Sequence, residues 1–182
     1  MPITKKVREL MVPLADYAVT TTESTLREAV FTLQKLYCQV EAGKCTHAGH
    51  RNVLVLDPDN NLVGILNFGS ILKVLIPEIS GGLSGKVESF GVSLAFAQGG
   101  VPDLDEARAS FRARVIRNAG TKVKDVMLKL RGTIEADADI LDALKLIYQN
   151  KINVLPVFDG GKLVGVLRES DLFLAVAEVL SE

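Results

Sequence analysis

The side chains best suited to metal or redox chemistry are concentrated in one short stretch. Cys38, Cys45, His47 and His50 are the only cysteines and histidines of the chain, in the order Cys-x6-Cys-x-His-x2-His. Thiolate and imidazole are the ligands that zinc prefers, yet the close Cys-x2-Cys pair typical of zinc sites is missing. Three interpretations stay open: a bound metal, a redox-sensitive thiol pair, and an ordinary loop.

The rest of the chain contains none of the common catalytic motifs. We find no phosphate-binding Gly-x-x-x-x-Gly-Lys-Ser/Thr loop, no Gly-x-Ser-x-Gly elbow and no His-Glu-x-x-His helix. Because both histidines lie in the same stretch, a triad with histidine as the general base is not expected. The sequence therefore predicts a binding or regulatory protein and not an enzyme.

A second cluster of charged side chains is basic. Residues 107–124 contain no acidic residue, and their basic residues are Arg108, Arg112, Arg114, Arg117, Lys122 and Lys124. Such runs are most often solvated helix faces, and the alternatives are contact with ligand phosphates or with an acidic partner. Nucleic acid is not expected as a partner, because aromatic residues make up only 5% of the chain.

The overall composition is that of a compact cytoplasmic protein. The 182 residues suffice for two units of about 60 residues with connectors. A hydrophobic content of 48% predicts apolar surface shared between units or between chains, so a homodimer is expected. With a net charge of -1, no signal peptide and no apolar stretch near the roughly 20 residues that span a bilayer, we expect no membrane association.

The chain contains an internal repeat that would position these side chains. Residues 7–11 match residues 123–127, and both segments read as a short helical turn that ends in methionine. Each repeat then has an apolar stripe with the i, i+3, i+4, i+7 period of an amphipathic helix. The stripes lie 114 residues apart and consist of Leu26, Ala29, Val30 and Leu33 in the first repeat and Ile140, Ala143, Leu144 and Ile147 in the second.

A β-hairpin follows the helix in each repeat. Residues 52–54 match residues 153–155, and residues 62–64 match residues 163–165, now with a constant spacing of 101. The decrease from 114 to 101 indicates a 13-residue insertion in the first repeat, at about residues 37–50. We predict a first unit at residues 1–76, a connector at residues 77–120 that is Gly-rich and then helical, and a second unit at residues 121–182.

This ordered set of motifs resembles the tandem cystathionine-beta-synthase (CBS) domain pair, or Bateman module. The resemblance covers both repeats and is carried most clearly by residues 133–134, 152–159 and 163–172. It implies an α+β fold of two pseudo-symmetric β-α-β-β-α units packed through their sheets, with clefts between them. Many such modules bind AMP, ADP, ATP or S-adenosylmethionine, often dimerise, and transmit ligand occupancy to a partner protein.

The resemblance also implies a ligand site. In the family, an Asp at the start of the last helix holds the ribose, and Asp171 occupies that position. A carboxylate can accept hydrogen bonds from both ribose hydroxyls. The expected ligand-binding residues are Thr133, Ile134, Asn153, Val154, Leu155, Pro156, Arg168, Ser170 and Asp171. The alternative is that Asp171 is an ordinary first-turn acid, and that the apolar residues are simply core.

The sequence departs from the family pattern at this site. Arg168 stands where Thr or Ser is usual, and it could either reach a phosphate or block the cleft. In the first repeat, Ser70 stands at the position of Asp171, and a serine cannot replace the paired acceptance of a carboxylate. We therefore expect the first cleft to be degenerate and one ligand to bind per chain.

The expected function is regulatory sensing of an adenine nucleotide, with no cofactor required and with an unidentified regulated protein as a further partner. Two alternatives stay open. One is a structural dimerisation module without a ligand. The other is a metal or redox sensor that acts through the stretch with Cys38, Cys45, His47 and His50.

Overall fold

The computed structural model describes residues 5–37, 40–41, 44–45, 51–77 and 104–180. Its helices are α1 (Val7–Leu10), α2 (Leu26–Tyr37), α3 (Phe68–Leu75), α4 (Leu104–Asn118), α5 (Ile140–Asn150) and α6 (Glu169–Val179). Its strands are β1 (Val12–Pro13), β2 (Val19–Thr21), β3 (Val40–Glu41), β4 (Lys44–Cys45), β5 (Asn52–Leu56), β6 (Leu62–Asn67), β7 (Ile134–Glu135), β8 (Val154–Asp159) and β9 (Lys162–Arg168). Short 3-10 turns lie at Leu14–Asp16 and Val123–Asp125.

The strands form two sheets that repeat one another. The first has the order β2-β5-β6 and the second has the order β1-β9-β8-β7, while β3 and β4 form a separate pair. In both sheets a short strand runs parallel to the first strand of an antiparallel hairpin. The predicted α+β fold of two similar units is confirmed. Within the part of the chain that is described, no helix is both long and apolar enough to cross a membrane.

The two units are joined by apolar side chains from both sheets. Tyr17 and Leu54 of the first unit pack in one cluster with Val154 and Val166 of the second, and all four are buried. Each unit also has its own core, in which the helix stripe predicted from the sequence covers the sheet. Burying these stripes from water is the main force that holds each layer in place.

The leading segments of the two units are exchanged. The segment before the first unit, residues 5–13, packs on the second unit, where the amide of Val7 donates to the carbonyl of Ala138 (3.0 Å) and β1 pairs with β9. The segment before the second unit, residues 122–128, packs on the first, where the amide of Val123 donates to the carbonyl of Ser24 (2.9 Å). Val7 and Val123 are fully buried in these borrowed positions, so each unit completes the core of the other.

Two glycines mark the points where the exchanged segments cross the sheets. Gly64 of β6 and Gly165 of β9 occupy equivalent positions. A Cβ at Gly165 would lie 2.5 Å from the carbonyl oxygen of Val12, which is backbone. A Cβ at Gly64 would lie 2.7 Å from the sulfur of Met127, the flexible end of a side chain. The Leu-Val-Gly motif of the repeat is therefore explained by a close approach of two segments of the chain.

Substituting these glycines is expected to have unequal effects. Gly165→Ala should lower the free energy of unfolding by about 1 to 2 kcal/mol, because the backbone of β1 must shift. Gly64→Ala should cost less, since the side chain of Met127 can move aside. Urea denaturation of the two variants measures the difference, and a larger loss for Gly64→Ala would contradict this account of the crossing.

The pairing of the strands corrects one detail of the predicted repeat. The spacing of 101 relates β6 to β9, but Asn52 lies opposite Asn67 whereas Val154 lies opposite Arg168. Asn52 thus corresponds to Val154, at a spacing of 102. The match to Asn153 was wrong, and the insertion in the first repeat has 12 residues and not 13. The spacing returns to 101 after the hairpin turn, because the β8–β9 turn is one residue shorter than the β5–β6 turn. Gly160 and Gly161, both with positive φ, allow this tighter turn.

Candidate functional site

A cleft of about 930 Å³ opens at the junction of the two units. We call it the seam cleft. Its volume is within the range typical of sites for small molecules. The described residues that line it are Asn52, Ile65, Asn67, Leu128, Lys129, Arg131, Gly132, Ile147, Tyr148, Lys151, Ile152, Asn153, Val154 and Glu169.

Both units and an exchanged segment contribute to the walls of the seam cleft. On the first unit, the β5–β6 pairing places Asn52 directly opposite Asn67. The exchanged segment is held against this wall at Leu128, whose amide donates to the carbonyl of Ile65 (2.8 Å). On the second unit, Lys151 directly follows α5, has left-handed backbone (φ 51°) and turns the chain toward β8. Such a residue at a helix end commonly allows the chain to change direction.

The charges on the lining favour an anion. Lys129, Arg131 and Lys151 are exposed, and Glu169 is the only carboxylate among the lining residues that the structure describes. Within the described ranges, none of the three cations forms an ion pair. Because their charge is not neutralised locally, they can attract a phosphate group at close range.

The start of α3 borders the seam cleft and has no carboxylate. Asn67 and Ser70 bond to each other: the amide of Ser70 donates to Oδ1 of Asn67 (2.7 Å), and the amide of Asn67 donates to Oγ of Ser70 (3.0 Å). Ser70 Oγ also donates to the carbonyl of Asn67 (2.9 Å). These bonds satisfy the first turn of α3, as a capping pair does, and occupy the Ser70 hydroxyl.

Asp171 is occupied by Arg168. It is buried, 8% exposed, and accepts from the backbone amide of Arg168 (3.0 Å) and from Nε of the same residue (2.8 Å). Nη2 of the guanidinium also donates to this carboxylate. The Asp171 hydrogen bond raises the pKa of Arg168, against the opposing effect of burial. Asp171 thus caps α6 and forms an ion pair, and it is not among the described residues that line the seam cleft.

The Arg168–Asp171 pair lies close to Tyr17. Burial raises the pKa of Tyr17 to about 12, while the positive charge of Arg168 acts in the opposite direction. Tyr17 lies just before β2, and Arg131 lies just before β7. The two positions are equivalent in the repeat, because they are 114 residues apart, as the two helix stripes are. The structure therefore groups Asp171 with the start of β2, whereas the residues just before β7 belong to the seam cleft.

The family of the chain follows from its sequence as well as its fold. The CBS domain family matches residues 7–77 and 123–178, which together are more than half of the chain. The chain belongs to the CBS domain family. Its two units are a tandem CBS pair.

This CBS pair is similar to other proteins in sequence and in fold. The uncharacterized protein MJ1426 of Methanocaldococcus jannaschii is 29% identical over 126 residues, which are 67% of this chain and 70% of the relative. CBSX2 of Arabidopsis thaliana, solved in complex with AMP, aligns with a TM-score of 0.60 at 18% identity and covers 96% of this chain and 98% of its own. Hypoxic Response Protein I, solved with two coordinated zinc ions, aligns with a TM-score of 0.55 at 15% identity over 93% and 98%. At these identities the two solved structures show the fold alone.

The ligand residues predicted from the CBS resemblance are distributed over several environments. Asn153 and Val154 line the seam cleft. Ile134 and Leu155 belong to the core of the second unit, and Pro156 is buried within β8. Thr133 and Ser170 are exposed outside the described lining, and Arg168 bonds to Asp171. Two of the nine predicted residues are thus among the described residues that line the seam cleft.

Sequence reasoning missed the cations of the CBS seam cleft. Lys129 and Arg131 precede β7, and Lys151 follows α5. The sequence signal that could have indicated them is basic residues a few positions before a strand and directly after a helix of the same unit. The sequence predicted phosphate contact as one possible role of the basic run at residues 107–124, yet none of its six cations is among the described lining residues. Two of them hold the exchanged segment, since Lys122 and Lys124 donate to the backbone carbonyl and the carboxylate of Glu23.

The predicted metal stretch lies almost wholly outside the described residues. Cys38, His47 and His50 are outside them, and Cys45 is in β4 with its side chain undescribed. Within the described part of the chain, no three potential metal ligands come together. The metal and redox interpretations of this stretch stay predictions.

Proposed function

We propose that this CBS pair is a regulatory module that binds an adenine nucleotide in the seam cleft. The observation that carries the proposal is a cleft of about 930 Å³ whose described lining residues include three cations and one carboxylate. Apolar side chains of Ile65, Leu128 and Ile152 offer walls for a purine ring, and the cations offer partners for phosphates. The solved complex of CBSX2 with AMP supports adenine nucleotides as the class to test.

The regulatory part of the proposal follows from which elements a ligand would touch. Asn52 and Asn67 come from the first unit, Lys151 comes from the second, and Leu128 belongs to the exchanged segment. A ligand that contacts all three elements favours one arrangement of the units over others, and it can shift the population by its difference in affinity. The occupied arrangement is then available for recognition by a partner protein.

Nucleotide binding is tested by calorimetric titration of ligand-free protein with AMP, ADP, ATP and S-adenosylmethionine. At least one of these should bind, with about one ligand per chain, and should raise the midpoint of thermal unfolding, because a ligand that prefers the native state stabilises it. Absence of heat and of any thermal shift with all four ligands would overturn the proposal.

We also propose that the module is a homodimer that buries the outer face of α6. Phe173 is 69% exposed and Leu174 is 59% exposed, although both are large apolar residues of a helix. Leu141, on the contacting helix α5, is exposed as well. A patch of this kind is typical of a surface that is covered in the assembled protein.

Phe173→Glu is expected to convert the dimer to a monomer. Two buried phenylalanines contribute about 3 to 6 kcal/mol per dimer, so their loss weakens association by more than about 100-fold. Sedimentation velocity measures the change, with Lys162→Glu in the exposed β8–β9 hairpin as a control that should remain dimeric. A wild-type protein that sediments as a monomer at all concentrations would contradict the proposal.

A further inference from the structure

Among the described residues, the start of neither α3 nor α6 offers the seam cleft a free carboxylate at the position that holds a ribose in the family pattern. A carboxylate that accepts from both ribose hydroxyls is absent from the start of α3, where Ser70 bonds to Asn67 instead. The carboxylate at the equivalent place in the second unit, Asp171, is occupied by Arg168 and is not among the described lining residues. The one lining carboxylate, Glu169, lies at the exposed first position of α6.

The cationic side chains that could bind phosphates lie on two separate segments of the chain. Lys129 and Arg131 lie on the segment that leads into β7, and Lys151 lies at the end of α5. When the negative charge of Glu169 is subtracted from these three positive charges, the described lining has a net charge of +2. Arginine can bond two phosphate oxygens at once, and lysine adds a compact charge. A ligand with more phosphates therefore offers these cations more acceptors and more negative charge.

We infer that the seam cleft selects its ligand by the number of phosphates and is indifferent to the ribose 2′-hydroxyl. The inference rests on the proposed binding of a nucleotide in this cleft and adds the class: nucleoside triphosphates, ribose and deoxyribose alike. It departs from the sequence prediction, in which the ribose grip of Asp171 was the central contact.

A ligand series on the wild-type full-length protein tests the inference without relying on variants. Calorimetric titrations with ATP, 2′-deoxy-ATP, AMP and inorganic tripolyphosphate are compared in the same buffer. The deoxynucleotide should bind within about threefold of ATP, because no bond to the 2′-hydroxyl is lost. AMP should bind about tenfold more weakly or worse, because charge-assisted bonds to two phosphates are lost. Tripolyphosphate should compete with ATP.

Charge variants locate the effect in the seam cleft. Arg131→Ala and Lys151→Ala should each weaken ATP by about tenfold, and should weaken AMP less. Lys162→Ala removes the same charge from an exposed hairpin residue outside the described lining and should leave both affinities unchanged. Thermal unfolding of each variant confirms that it is folded, and Lys151→Arg should retain ATP binding. Glu169→Gln should leave the ratio of ATP to 2′-deoxy-ATP affinity unchanged.

Two results separate this inference from the proposed function. If 2′-deoxy-ATP binds at least tenfold more weakly than ATP, or if AMP binds as tightly as ATP, selection by phosphate number is wrong while nucleotide binding stands. If Arg131→Ala and Lys151→Ala leave ATP binding intact, the cations are not the phosphate partners and the inference fails. If no nucleotide binds, both proposals fail together.

Discussion

Asp171→Ala is expected to lower the free energy of unfolding by about 2 to 4 kcal/mol, because it leaves the guanidinium of Arg168 largely buried without its counter-ion. The side chains of Arg168 and Asp171 are 18% and 9% exposed, so water replaces the lost partner poorly. The same substitution removes the acceptor for the backbone amide of Arg168 at the start of α6. A lost helix cap alone costs about 1 kcal/mol.

Urea denaturation measures this loss, and two variants control it. Ser170→Ala changes the exposed neighbour and should alter the free energy of unfolding by less than about 0.5 kcal/mol. The double variant Arg168→Leu with Asp171→Leu removes both charges and should recover part of the loss, because no buried charge is then left alone. A loss below about 1 kcal/mol for Asp171→Ala would show that the ion pair is not structural.

Raising the pH from about 10 to about 12 is expected to destabilise the protein through Tyr17. Burial raises its pKa from 10.0 to about 12, so the folded state favours the neutral hydroxyl. The stabilisation is fully present below the ordinary pKa and is lost as the pH rises through the folded pKa. A difference of about two units between the folded and the unfolded pKa corresponds to about 2 to 3 kcal/mol of stability.

Comparison of pH profiles isolates this contribution from other groups that titrate in alkali. Between pH of about 10 and 12, the free energy of unfolding of Tyr17→Phe should fall less than that of the wild type. The difference between the two decreases should be about 2 to 3 kcal/mol. Tyr148→Phe removes an exposed tyrosine and should keep the wild-type profile. Parallel profiles for wild type and Tyr17→Phe would refute the expected role of Tyr17.

Local periodicity was enough to predict the two units, because each amphipathic helix and hairpin carries its own pattern. The exchange of leading segments could not be predicted in this way. The apolar period at Val7 shows that the residue is buried, but not which unit covers it. The register of β5 was misjudged because Asn-Val-Leu occurs in both repeats, while the hydrogen bonds are set by a hairpin turn that differs by one residue.

The candidate site was predictable only in part. Arg168 and Asp171 are three residues apart in sequence, and opposite charges at this spacing can meet in the first turn of a helix. The sequence left open whether Arg168 reaches a phosphate or blocks the cleft, and the structure pairs it with Asp171. The site of Lys151 was not predicted, because Lys151 comes together with Lys129 and Arg131 only in the folded lining of the seam cleft. Convergence of separate elements has no short sequence signature.

A crystal structure of the protein grown with ATP tests the central claim most directly. We expect the triphosphate in the seam cleft, within hydrogen-bond distance of Lys129, Arg131 and Lys151. Asp171 should still be bonded to Arg168. A ribose held by Asp171 with Arg168 turned away, or a seam cleft that stays filled with solvent at saturating ATP, would contradict it.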